Sequence, residues 1–73
     1  MTTTEIIKSE YFKHTRNLLN DFPEALHKFE ELWQAGKLRE AYLFVDETVR
    51  NHGIVRSPEQ QKADEDFYWE VVN

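Results

Sequence analysis

The sequence predicts an all-α protein, a compact three- or four-helix bundle built on antiparallel helical hairpins. Apolar residues recur at helical spacing in four segments, and no segment shows the strict alternation of a half-buried strand. Helix start and stop signals separate the four segments, and the connections between them are short. The length of 73 residues predicts a single domain, residues 1–73, with a small hydrophobic core.

The first helix is predicted from about Thr4 to Asn20. Thr3 or Thr4 can cap its N-terminus, and Glu5 suits the positive end of the helix dipole. Its apolar residues follow helical spacing and form one stripe, namely Ile7, Tyr11, Phe12, Leu18, Leu19 and Phe22.

The second helix is predicted from about Pro23 to Ala35, because proline suits the first helical position and Glu24 follows it. Gly36 is expected to end it, since glycine adopts the left-handed conformation at little cost. The third helix is predicted from about Leu38 to His52, with Gly53 as its stop. The apolar residues of these two helices fall on one broad arc each, which predicts that both face a common core.

The turn between these helices has a recognisable pattern. The stretch Trp33-Gln34-Ala35-Gly36-Lys37-Leu38-Arg39-Glu40-Ala41, continuing to Gly53-Ile54, resembles the helix-turn-helix unit of tetratricopeptide and pentatricopeptide repeats. The shared features are a small residue and glycine at the turn, followed by Glu-Ala in the second helix. The resemblance covers one unit, roughly residues 22–55, whereas solenoids need about three or more. It therefore implies a helical hairpin, and the peptide- or RNA-binding roles of those repeats are not carried over.

The fourth helix has the clearest start signal, Ser57-Pro58-Glu59-Gln60. Serine suits the N-cap, proline the first helical position, and Gln60 the last position of a capping box. The helix is expected to continue to near residue 73. In a helix successive residues turn by about 100°, so Ala63, Phe67 and Val71 share one face and Trp69 points nearly the opposite way.

This geometry predicts a partner-binding surface at the end of the chain. Aromatic anchors dominate binding energy at interfaces, and carboxylates steer a basic partner. The residues assigned to this surface are Asp64, Glu65, Asp66, Tyr68, Trp69 and Glu70. The alternative is that Trp69 folds back against the first helix or the link, and that the acidic residues only add solubility. Leu43 and Ile6, each off the main stripe of its helix, are weaker candidates of the same kind.

The charge balance limits the classes of partner. Fourteen acidic and nine basic residues give a net charge of −5, which argues against direct binding of nucleic acid or of an anionic membrane. No apolar run could span a bilayer, and residues 1–5 lack the basic and apolar regions of a signal peptide. With no cysteine as well, the sequence predicts a soluble, cytoplasmic protein.

Nothing in the sequence predicts catalysis or a cofactor. The three histidines, His14, His27 and His52, do not have the spacing of a zinc-binding helix. The Glu24-x-x-His27 spacing of a di-iron bundle occurs once, whereas such a site needs a second copy. The chain has two glycines and no phosphate-binding loop. We therefore expect no metal, no cofactor and no enzymatic activity.

Three functions remain. The favoured hypothesis is a small acidic protein–protein interaction module, an adaptor or inhibitor of a larger partner with a basic surface, such as a phage-type modulator. The second is a structural homo-oligomer, by default a homodimer, that buries its surplus aromatic rings. The third, less favoured, is a nucleic-acid mimic, for which a denser acidic array would be expected.

Overall fold

The computed structural model describes residues 3–73, and these residues form four α-helices and no strand. The helices are α1 Thr3–Leu18, α2 Pro23–Gln34, α3 Leu38–His52 and α4 Pro58–Phe67, and a π-helical turn, Tyr68–Val72, continues α4. The predicted all-α class is confirmed, and the helix contacts fit a compact bundle. Met1 and Thr2 of the predicted domain lie outside the described residues.

The helix boundaries follow the start and stop signals of the sequence closely. At the end of α2 the Gly36 N–H donates to the Trp33 carbonyl (3.1 Å) and the Lys37 N–H to the Leu32 carbonyl (3.0 Å). These two bonds form a Schellman motif, in which Gly36 takes a left-handed φ of +78°. Gly53 ends α3 in the same conformation, with φ +63°.

The beginning and end of α1 differ from the prediction. Thr3 and Thr4 are both helical, so neither is the cap that the sequence suggested. The helix ends at Leu18 rather than Asn20, because the chain turns at residues 19–21 while Leu19 is fully buried in the core. That burial outweighs the propensity of the segment to continue as a helix.

Tyr11 of α1 lies at the centre of the core, and aromatic rings from the other three helices surround it. Its ring stacks on Phe67 of α4 with the centroids 4.0 Å apart. Phe29 and Trp33 of α2 lie 6.1 and 5.9 Å away, and Tyr42 of α3 lies 6.1 Å away. Because each helix contributes at least one ring, this single cluster joins the whole bundle.

The helices do not all pack against their neighbours in sequence. The main contacts join α1 with α4 and α2 with α3, and the π-helical turn contacts α1, α3 and α4. The C-terminal segment is therefore packed onto the bundle on one side, which fixes the direction of the side chains on its other side.

Candidate protein-interaction surface

The buried side of the C-terminal segment anchors it to the core. Phe67 is fully buried, and Ala63 one turn earlier is 7% exposed. Val71, predicted to share this face, is half-buried and packs against the core, and Val72 is more deeply buried at 8% exposure, which was not predicted. The cause is the π-helical turn, in which the Asn73 N–H donates to the Tyr68 carbonyl five residues earlier (2.8 Å).

The opposite side of this segment exposes two aromatic rings. Trp69 is 62% exposed and Tyr68 is 37% exposed. The two ring centroids lie 5.3 Å apart with an angle of 75° between the planes, and Tyr68 also lies 5.7 Å from the Tyr42 ring. Within residues 3–73, the ring contacts of Trp69 are limited to Tyr68. Trp69 therefore points away from the core and is held by a neighbouring ring that itself rests on α3.

Three carboxylates flank these rings. Glu65 and Glu70 are exposed and form no ion pair with any described residue. Asp66 is half-buried, and its Oδ2 lies 3.9 Å from Lys62 Nζ. No basic residue follows Lys62 in the sequence. The segment that carries the exposed aromatic pair therefore has three carboxylates between residues 65 and 70, and one of them forms an ion pair within residues 3–73.

Asp64 is the exception among the predicted surface residues, because it is buried at 5% exposure. Gln60 Nε2 donates to Asp64 Oδ1 (2.6 Å), and Arg56 Nε lies 3.1 Å from Asp64 Oδ2. Loss of solvent raises the pKa of the Asp64 carboxyl, and the hydrogen bond from Gln60 and the charge of Arg56 partly oppose this rise. Asp64 therefore lies beneath the surface, whereas the other five predicted residues lie on or at its edge.

Arg56, in the link between α3 and α4, connects Asp64 to a second carboxylate. Its Nη2 lies 3.3 Å from Asp46 Oδ1 on α3, and Arg50 also forms an ion pair with Asp46. This partly buried polar cluster of Asp46, Arg56, Gln60 and Asp64 joins α3, the link and α4. Sequence reasoning missed it, since its members are up to 18 positions apart and follow no motif.

Other exposed apolar residues lie outside this surface. Ile6 and Leu43, the two weaker candidates, are 47% and 53% exposed. Val55 in the link is 89% exposed, and no sequence signal had singled it out. These single positions are on different elements, whereas Tyr68 and Trp69 are in mutual contact.

Two histidines within residues 3–73 each lie close to one carboxylate. His27 lies 2.9 Å from Glu31 and His14 lies 3.4 Å from Glu10, but no group of three or more His, Asp or Glu residues that could hold a metal ion is found within residues 3–73. An open groove of about 640 Å³ lies between the start of α2 and the end of α3. It includes none of the predicted surface residues.

No protein-family model, no curated protein and no solved structure matches this chain. Between residues 3 and 73 the helices are too short or too polar to cross a lipid bilayer.

Proposed function

We propose that this chain is a small acidic protein–protein interaction module, an adaptor or inhibitor that docks on the basic surface of a larger protein. The docking surface consists of Glu65, Asp66, Tyr68, Trp69 and Glu70. The observation that supports the proposal is the contrast between Trp69, 62% exposed, and Phe67, fully buried two residues earlier. A large ring is thereby presented to solvent from a helical segment that the core holds in place.

Such a surface supplies both the apolar anchor and the charged groups of a typical interface. An exposed tryptophan gains a large apolar area when a partner covers it, and truncation of such an anchor commonly costs about 2 kcal/mol or more of binding free energy. The unpaired carboxylates accelerate the encounter with a basic patch, and this contribution falls as salt screens the charges. Because the surface is held on a helix, little ordering is required on binding.

We also propose a topology, a cellular location and a class of partner for this module. We take α2 and α3 to form an antiparallel hairpin, since three residues connect two helices that contact each other. The absence of cysteine from the sequence favours a cytoplasmic location. The net charge of −5 favours a protein partner over nucleic acid or an anionic membrane.

The proposal is tested by affinity capture from a lysate of the source cells at low and high salt, with wild type, Trp69→Ala and Leu43→Ala compared. Leu43 is a matched control, because it is a comparably exposed apolar residue on another helix. We expect a partner that wild type and Leu43→Ala retain, that Trp69→Ala loses, and that high salt releases. Equal retention by all three folded proteins would show that this surface is not the docking site.

Self-association is the second candidate, and the exposed residues Ile6, Leu43, Val55 and Trp69 favour it. In that case the surplus apolar surface would be covered by a second copy of the chain. Light scattering coupled to size-exclusion chromatography separates the two candidates. A monomer supports the adaptor or inhibitor, whereas a dimer that Trp69→Ala converts to monomer supports the homo-oligomer.

A further inference from the structure

We propose that the side chain recognised at this surface is an arginine of the partner, whose guanidinium stacks on Trp69 while it pairs with Glu65 and Glu70. The inference rests on the proposed function and names the chemical group that the surface binds. Three observations lead to it: the geometry of the ring pair, the unpaired carboxylates beside it, and a similar arrangement elsewhere in this molecule.

Most of the Trp69 side chain is exposed, and its neighbouring ring holds it in position. The planes of Tyr68 and Trp69 meet at 75° with their centroids 5.3 Å apart, so the two rings pack edge to face. Tyr68 in turn lies 5.7 Å from the Tyr42 ring of α3. With 62% of Trp69 exposed, enough of the indole is free to accept a flat group. Cations are attracted to aromatic faces, and tryptophan is the strongest of the three aromatic side chains in this respect.

The carboxylates determine that the group bound at this surface carries a positive charge. Glu65 precedes Trp69 by four residues, about one helical turn, so the two residues are neighbours on the helix surface, whereas Glu70 follows Trp69 directly and lies on the adjoining side. Neither forms an ion pair with a described residue, so both are free to bind a cation. Asp66 is partly neutralised by Lys62 and adds to the negative potential. An incoming cation would therefore meet an aromatic face and unpaired carboxylates at the same place.

Guanidinium fits this combination better than ammonium. It is planar, so it can lie flat on the indole, and its edge can donate two parallel hydrogen bonds to a carboxylate. The molecule itself places one arginine between a ring and a carboxylate: the guanidinium carbon of Arg16 lies 5.7 Å from the centre of the Phe12 ring, and its Nε lies 3.4 Å from Glu30 Oε1. The C-terminal surface offers a larger ring and unpaired carboxylates, but no arginine of its own.

The experiment is a titration of the protein with three short peptides that differ at one position, which is arginine, lysine or citrulline. Citrulline keeps the planar shape of arginine without the charge. The Trp69 indole N–H resonance, assigned by its loss in Trp69→Phe, reports binding at this surface in the ¹H–¹⁵N spectrum. The arginine peptide is expected to bind about threefold or more tightly than the lysine peptide. The citrulline peptide should bind more weakly than either, and high salt should weaken the arginine complex.

The variant that tests the carboxylates is Glu65→Gln combined with Glu70→Gln. Its control is Glu47→Gln combined with Glu59→Gln, which removes the same charge from exposed positions on α3 and at the start of α4. Loss of the arginine preference in the first variant and its retention in the second supports the inference. Equal loss in both variants would mean that only net charge matters, and that outcome overturns it.

Failure of this inference is distinguishable from failure of the proposed function. Equal binding of the arginine and lysine peptides, or no shift of the Trp69 resonance with any peptide, overturns arginine recognition. The proposed function still stands in that case if a protein partner is lost in Trp69→Ala. Conversely, a partner retained by Trp69→Ala refutes the proposed function, even if the arginine peptide binds.

Discussion

At the scale of single residues, three consecutive aromatic side chains have three different environments. Phe67 is fully buried and stacked on Tyr11, Tyr68 rests partly on Tyr42, and Trp69 is mainly in solvent. Their hydrophobicity is similar, so composition cannot explain the difference. The rotation of about 100° per residue explains it, because a helix that buries residue 67 must turn residue 69 outward.

This contrast predicts that two substitutions change the free energy of unfolding by very different amounts. Phe67→Ala should lower the free energy of unfolding by about 3–5 kcal/mol, because it leaves a cavity at the centre of the aromatic cluster. Trp69→Ala should change it by less than about 1 kcal/mol, since most of the ring is already in solvent. Urea unfolding followed by circular dichroism measures both values.

A small protein tolerates little loss of core volume, so Phe67→Leu provides a milder comparison. It keeps the position apolar, and it should still cost more stability than Trp69→Ala. If Trp69→Ala were as destabilising as Phe67→Leu, Trp69 would belong to the core, and the proposed docking surface would have to be abandoned.

The sequence predicts the exposure of Trp69 better than it predicts the burial of Asp64. The outward direction of Trp69 follows from helix geometry alone, and its exposure agrees with that direction. Asp64 is one of several neighbouring carboxylates in the sequence, with nothing to distinguish it. Its burial depends on Arg56, which the fold brings to it from the preceding link.

At the scale of helices and turns, the π-helical turn is the element that the sequence does not show. Periodicity of 3.6 residues places Val71 on the face of Phe67, but in the wider turn Val72 is buried more deeply than Val71. This turn contacts α1 and α3 as well as α4. Those contacts are tertiary, and the local periodicity of the sequence does not show them.

The N-cap of α4 is, in contrast, a local feature that the sequence predicts and the structure confirms. The Gln60 N–H donates to Ser57 Oγ at 3.2 Å, and Pro58 occupies the first turn. Ser57→Ala should therefore lower the free energy of unfolding by about 1 kcal/mol. Thermal or urea unfolding measures the loss.

The matched control is Ser9→Ala, because Ser9 is exposed in the middle of α1. Alanine is the better helix former there, so this substitution should be neutral or slightly stabilising. Equal losses for the two variants would contradict the capping role, and they would point to a general effect of serine removal on this small protein.

Helix ends were predictable where glycine marks them. The predicted bounds of α3 agree with the structure, and those of α2 differ by one residue, since Gly36 and Gly53 stop the helices in a left-handed conformation. The end of α1 carries no such residue, and its position is set by the burial of Leu19.

At the scale of the whole molecule, the sequence predicts the class of the fold but not which helices pair. Tyr11 and Phe67 are 56 positions apart, yet their rings stack at 4.0 Å and join α1 to α4. Amphipathic stripes show that each helix has a buried face, but they do not specify which other helix covers that face. The pairing depends on how large rings fit together in one small core.

The partly buried polar cluster is the second feature that holds the helices together. Arg56 lies between Asp46 of α3 and Asp64 of α4, at 3.3 and 3.1 Å, so the link is tied to both helices. A buried ion pair is costly to desolvate, and its attraction does not always repay that cost. For Asp64 the loss of solvent is the larger influence, and it raises the pKa of the carboxyl above its ordinary value of 3.8.

The raised pKa of Asp64 predicts how stability depends on pH. The folded protein binds the Asp64 proton more tightly than the unfolded chain, so this contribution to stability is complete below about pH 4 and is lost as the pH rises through the folded-state pKa. Asp64→Asn cannot titrate at this position. The free energy of unfolding of wild type, measured by urea relative to Asp64→Asn, should therefore fall as the pH rises above about pH 4. A difference that instead grew in favour of wild type would mean that the attraction of Arg56 outweighs desolvation, and that the cluster stabilises the bundle chiefly as an ion pair.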